Sequence, residues 1–237
     1  MSTIAEFFDV ILKGESKTYN DHNWYTPNGL KGFIEGRSSS PYPLLTKPLS
    51  EYTIGEVKAF QSRGRDSQGQ LWATGRYQII PKTLIGVQNR LGLSDSQKYD
   101  QATQDAMGLD LLNERKSIKE YISGAVPDST EALEKAALQV AMIWSSVGVP
   151  YSTQGRHGTV SKDESYYSGG GDRASVPSAS AQEALKTLRA NFGNVNKETT
   201  KSTGDKKKGK GLFIVGSILG LGIISFAIYK IVKMRKK

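Results

Sequence analysis

Ile4, Phe7, Phe8, Ile11 and Leu12 recur at the spacing of one helical face, and Thr3-Ile4-Ala5-Glu6 ahead of them has the form of a capping box. They predict an N-terminal helix that the chain leaves near Gly14. Residues 19–55 show no such period. They are rich in Asn, Gly, Ser, Pro and Tyr, and read as loops with a short hairpin. Thr53-Ile54-Gly55-Glu56 is a second capping box, opening a short helix through Val57 and Phe60. Pro81 stands at the favoured first position of another helix, with Leu84, Val87 and Leu91 on its apolar face. Residues 95–122 read as helical, with Ala102, Ala106, Leu109 and Leu112 on one face. Leu133, Ala137, Val140, Ala141 and Trp144 predict a helix from Asp128 or Ser129 to Val147, stopped by Gly148. Residues 148–179 are polar and glycine-rich. Ser180-Ala181-Gln182-Glu183 is a third capping box, leading a helix with Leu185, Leu188 and Phe192 inward.

The last part of the chain changes character. Residues 193–210 carry Asn, Lys, Thr, Ser and Gly with no apolar period, and read as a flexible basic linker. Gly211–Tyr229 then holds no charge. At ~1.5 Å per residue such a run spans the ~30 Å hydrocarbon core of a bilayer. Lysines flank it and Tyr229 stands at an interface position, so a transmembrane helix is expected over 211–232, with a basic tail at 233–237. Gly216 and Gly220 form a GxxxG pattern, which permits self-association of that helix.

Charge follows the same division. The net charge is +9 over 237 residues. The whole excess lies beyond residue 200, where ten basic residues face only Asp205. The body of the chain is neutral, which argues against a nucleic-acid partner. There is no cysteine, so disulfides, thiolate metal sites and thiol nucleophiles are excluded. His22 and His157 are the only histidines, too few for an ordinary zinc hydrolase, and no G-x-S-x-G elbow is present. No metal and no cofactor are expected.

Two stretches carry candidate chemistry. Glu15 falls where the first helix should end, in Gly14-Glu15-Ser16-Lys17-Thr18-Tyr19-Asn20. The negative end of the helix dipole and apolar neighbours would both disfavour its charged form, which suits a general acid. Read alone, it is more often a solvated carboxylate at a helix end. Gly75-Arg76-Tyr77-Gln78-Ile79-Ile80-Pro81 is the other stretch, which read alone is a strand end turning into a helix.

Taken in order, the two stretches resemble the single-glutamate, goose-type-lysozyme-like lytic enzymes of phages, in particular the lambda endolysin family of transglycosylases. Leu91-Gly92-Leu93, Gln104-Asp105, Leu109, Glu114-Arg115, Ile143-Trp144-Ser145-Ser146 and the glycine-rich Tyr166–Ala174 loop continue the likeness, which covers about residues 4–192. The Glu15–Gly75 spacing is longer than the family pattern, so 24–70 reads as an insertion or a divergent lobe. The resemblance implies a mainly α chain, an α+β lysozyme-like fold with a small loop or hairpin lobe over 1–192, to which the uncharged run adds the C-terminal transmembrane helix. It implies a peptidoglycan substrate cleaved at the MurNAc–GlcNAc bond with Glu15 as acid and then base. Gln78 and Tyr77 would contact sugars, Gly75 and Arg76 would line the cleft, and Ser16, Tyr19 and Asn20 would support Glu15. Arg76 serves equally as a structural ion-pair partner, and Trp144 reads as core. A hydrolytic muramidase using water is the mechanistic alternative, with Asp21, Glu35 or Asp66 as second carboxylate. A non-catalytic cell-wall-binding module and a structural virion protein are the alternatives of other classes.

The first apolar stretch contains Glu6 and Asp9 and lacks the basic start and cleavage site of a secretory signal. A wall-active domain with a tail anchor and no leader would stay on the cytoplasmic side. An internal virion membrane of a tailless phage resolves that conflict: packaged there, the enzyme would reach the wall of a new host during genome entry. The host inner membrane is the other location.

Overall fold

The computed structural model describes residues 4–14, 16, 18–26, 29–34, 37–38, 45–64, 70–169 and 173–202. Contacts divide the chain into two compact units. One is Leu12–Leu112, and the other joins residues up to Ile11 with those from Asn113 onward.

The Leu12–Leu112 unit opens with a short 3-10 turn over Leu12–Gly14. Four strands follow: β1 (His22–Thr26), β2 (Gly29–Ile34), β3 (Arg37–Ser38) and β4 (Gln70–Thr74). They form an antiparallel sheet in the order β3-β2-β1-β4. This sheet is larger than the loops and short hairpin expected here. Trp24, Tyr25, Phe33 and Ile34 suit strands, but Asn, Gly and Lys interrupt them, and pairing with β4, some fifty residues on, sets the sheet. The 24–70 segment thus includes β2, β3 and most of β1.

Helix α2 (Ile54–Gln61) starts at the expected capping box. Thr53 N–H donates to Glu56 Oε2 at 2.6 Å, and Glu56 N–H donates to Thr53 Oγ1 at 3.2 Å. Helix α3 (Pro81–Leu91) has proline at its first position and ends in Gly92, whose φ of 62° is left-handed. Helix α4 (Gln101–Asn113) begins where the Asp100 carboxylate accepts the Thr103 amide at 2.9 Å. The helical span expected from 95 therefore starts later. Tyr99, wholly buried, reaches Thr74 instead, while its amide donates to Tyr52 O at 2.8 Å.

The other unit is helical. It contains α1 (Ile4–Ile11), α5 (Lys116–Ser123), α6 (Thr130–Ala141) and α7 (Ser178–Ser202). α7 packs on α1, α5 and α6. Phe7, Phe8 and Ile11 are buried, as the first apolar stripe predicts, and Thr3 lies outside the described residues. Trp144 is 2% exposed and meets Phe8 edge-on at 6.0 Å, so it is core. α6 stops at Ala141, short of the expected Val147. Val147 and Val149 remain buried because the chain continues inward by pairing with other loops: Gly148 N–H donates to Val176 O and Val149 N–H to Glu164 O, each at 2.9 Å. A two-residue hairpin, β5 (Thr153–Gln154) with β6 (Thr159–Val160), follows.

α7 begins at Ser178, two residues before the expected box. Asp163 provides the cap, accepting from Ser178 N–H at 2.7 Å and Ser178 Oγ at 2.6 Å. Burial alone would raise the Asp163 carboxyl. The two Ser178 bonds outweigh it, with Lys162 and Arg173 adding, and hold the group below the usual carboxylate range. The helix runs on through Ser202, so residues 193–202, expected as linker, are helical. The transmembrane helix expected at 211–232, its GxxxG pattern and the basic tail lie outside the described residues. Among the described residues no helix is long and apolar enough to cross a membrane.

Candidate functional site

Gly75–Gln78 is the tip of a tight hairpin whose stem is the Thr74–Ile79 bridge. Thr74 N–H donates to Ile79 O at 3.2 Å and Ile79 N–H returns to Thr74 O at 2.9 Å. Gly75 and Gln78 both have positive φ, 72° and 46°. Glycine meets that demand without penalty, whereas glutamine at a left-handed position is uncommon and stores strain. The Gln78 side chain helps to hold it there: Nε2 donates to Gly75 O at 2.8 Å, and Oε1 accepts from Asn23 Nδ2 at 3.1 Å. One Nε2 hydrogen and one Oε1 lone pair remain for a ligand.

Glu15 and Lys17 lie outside the described residues. Around them, Ser16 N–H donates to Leu12 O at 3.1 Å and Ser16 Oγ to Thr18 O at 3.0 Å. Asp21, 2% exposed, folds back on Thr18. Its oxygens take the Thr18 amide at 3.2 Å and the Thr18 hydroxyl at 3.0 Å. Of the three carboxylates a hydrolase would draw on, Asp21 is therefore committed to this loop. Glu35 and Asp66 lie outside the described residues. Asn20 Oδ1 accepts from Ser50 N–H at 3.0 Å, which anchors the loop at a further point.

The structure brings the 16–21 loop and the Gly75–Gln78 turn together. Gly75 N–H donates to Asp21 O at 2.7 Å. Gln104, wholly buried on α4, bridges the two: Nε2 donates to Tyr19 O at 3.0 Å and Tyr99 O at 2.8 Å, and Oε1 accepts from Arg76 N–H at 2.9 Å. A Cβ on Gly75 would collide with that amide oxygen. Asp105 Oδ1 accepts from two phenols, Tyr19 at 2.8 Å and Tyr77 at 2.7 Å. The Arg76 guanidinium lies 5.3 Å from the Tyr19 ring centroid. Burial, then Asp105, push the Tyr19 phenol up to about 12, and the same causes push Tyr77 up further.

Tyr77 departs from its expected role. It is 3% exposed, its ring covers Gly108 and its hydroxyl is given to Asp105, so it is a prop in the wall and not a stacking face for sugars. The groups left to face a ligand are Gln78, Asn23, Tyr19 and Arg76, each partly exposed. Asn23 and Gln104 carry roles that sequence reading did not assign. For Gln104 a signal exists: it shares a helical face with Met107, Gly108 and Leu111, all buried. A glutamine on a buried face must find partners for its amide. For Asn23 no local signal exists, since only strand pairing brings it to the turn.

His22 is 3% exposed and its Nδ1 lies 2.9 Å from Asn20 O. Burial lowers its pKa, against the opposing pull of that carbonyl and of Asp21. Among the described residues no group of three or more His, Asp or Glu could hold a metal ion. In the other unit, a groove of ≈ 330 Å³ between α1 and α7, lined by Phe7, Val10 and Ala184 among others, contains none of the candidate residues.

Comparison with models of known protein families, with curated proteins and with solved structures finds no match.

Proposed function

We propose that this chain degrades peptidoglycan, cleaving the MurNAc–GlcNAc β-1,4 bond as a lytic transglycosylase. The supporting observation is the convergence of two segments some sixty residues apart. The loop that follows Glu15 and the Gly75–Gln78 turn share Gln104, Asp105 and the Gly75–Asp21 backbone bond. In this reading Glu15 protonates the glycosidic oxygen as the C1–O bond breaks. Its carboxylate then takes the proton from the muramoyl C6 hydroxyl while that oxygen bonds to C1, leaving a 1,6-anhydro end. Gln78 and Asn23 offer amide groups to sugar hydroxyls and Arg76 offers a cation. Commitment of the Asp21 carboxylate to Thr18 favours this route over a water-using muramidase.

The location that accompanies this reading is a single-pass membrane protein, anchored by 211–232 in the internal membrane of a tailless phage and acting at genome entry. Its detection in lysed hosts but never in purified particles would remove that location.

The test is mass analysis of purified peptidoglycan digested by the full chain in detergent, beside the Glu15→Gln variant. Anhydro-muropeptides from the wild type, reduced at least about a thousandfold in the variant, are the expected result. Reducing-end muropeptides would make it a hydrolase. Wild-type protein that binds the wall without cleaving it would make it a binding module.

A further inference from the structure

Asp105 and Gln104 are neighbours on α4, yet their partners differ in kind. Gln104 satisfies buried backbone groups of Tyr19, Tyr99 and Arg76, and folding needs that irrespective of function. Asp105 is only half-buried and serves no backbone group among the bonds described. Its Oδ1 is the common acceptor of two phenols, one from each segment of the site. Two phenylalanines would bury almost the same apolar area with no carboxylate to partly desolvate. Such an arrangement sets position more than it adds stability, because two short bonds converge on one carboxylate oxygen with defined geometry.

We infer that Asp105 is a positioning residue: through Tyr19 and Tyr77 it locks the segment that follows Glu15 against the Gly75–Gln78 turn. This rests on the transglycosylase reading for its consequence, though not for its geometry. Tyr19 lies four residues beyond Glu15 in the sequence, so holding its ring holds the backbone of the Thr18–Asp21 loop that follows. Tyr77 is 3% exposed with its ring packed on Gly108, and so gives the carboxylate a buried reference. Arg76, beside Tyr19, is the cation that faces the cluster.

The test uses the full chain with Tyr19→Phe, Tyr77→Phe, the double variant, Asp105→Leu and Asp105→Asn. Two quantities are read for each: hydrogen exchange of the amides from Ser16 to His22, and kcat and KM on peptidoglycan. The double variant and Asp105→Leu should speed exchange in that segment about tenfold and lower kcat about tenfold, the worth of one bond to a charged group. In Asp105→Leu KM should stay within about twofold, because the ligand-facing Gln78, Asn23, Tyr19 and Arg76 are all retained. Asp105→Asn keeps an oxygen where both phenols donate, so it should restore most of both. Tyr19→Phe is partly exposed and keeps its ring, so it remains informative if Asp105→Leu does not fold. Unchanged exchange in the double variant would overturn the inference, as would a kcat loss matched by an equal loss of folded protein. If the wild type cleaves no peptidoglycan, the transglycosylase reading falls alone. Accelerated exchange would still establish the lock.

Discussion

The site region and the α5–α6–α7 helices hold themselves together in different ways. In the site, segments 16–21, 75–78 and 104–105 meet through side-chain bonds to backbone and to one another. Each bond spans tens of residues or more, and the geometry fails if one group is missing. Among the helices, burial of Ile118, Ala136, Ala137, Val140, Ala181 and Leu185 does most of the work. A few polar clasps assist, such as Arg189 Nη2 donating to Val126 O at 2.8 Å. On this contrast, changes in the helical region should act mainly on stability and changes in the site region mainly on position. Mutations should separate the two properties.

The largest stability effect should come from Leu185→Ala. Leu185 is wholly buried, and deleting it should cost about 2–5 kcal/mol, including the cavity left behind. Denaturant unfolding should register that loss while kcat of the folded fraction stays unchanged. A fall in kcat beyond the folded fraction would break the contrast. Gly75→Ala should behave oppositely. Its φ of 72° disfavours a side chain, and the added methyl collides with Gln104 Oε1. A stability loss of about 1–3 kcal/mol is expected, with activity falling by more than that loss of folded protein explains. Proportional losses would mean the turn is ordinary scaffold.

The smallest effect sharpens the contrast through pH. Burial lowers the His22 imidazole, so the unfolded chain takes up a proton, near pH ~6.5, that the folded chain resists. The contribution of His22 is intact above that pH and declines as pH falls through it, levelling once the folded form also protonates. His22→Gln should flatten the dependence of the urea midpoint between about pH 7 and pH 5. Parallel profiles for the two proteins would remove His22 as the cause.

The same contrast explains what could be read from the sequence. Local signals held up: the Thr53–Glu56 box, Pro81 and the Phe7–Phe8–Ile11 stripe all mark what the structure contains. Each is decided by groups within a few residues. Signals that depend on distant partners did not. The apolar stripe predicts α6 as far as Val147; burial does continue there, although the helix ends at Ala141. Gly148, expected as a helix stop, lies where a Cβ would press on the Asp163 backbone. The strands from 22 to 38 were legible only as loops and a hairpin, since pairing makes them. At the site, Gly75–Gln78 could be singled out from the sequence. The commitment of Tyr77 to Asp105 could not, because only the folded position of α4 brings the two residues together.

One feature of the helical unit bears on how the chain is made. α1 packs against α7, yet ribosomes deliver the first long before the second. Phe7, which lines the α1–α7 groove, has no α7 neighbour while the intervening residues are still being synthesised. The Leu12–Leu112 unit is complete in sequence well before that moment. Synthesis therefore imposes an order: the segment bearing the polar loops has all its own residues first, and the helical unit closes last. A nascent chain stalled before Ser178 leaves the α7-facing side of α1 uncovered, the form in which chaperones and aggregation compete for it.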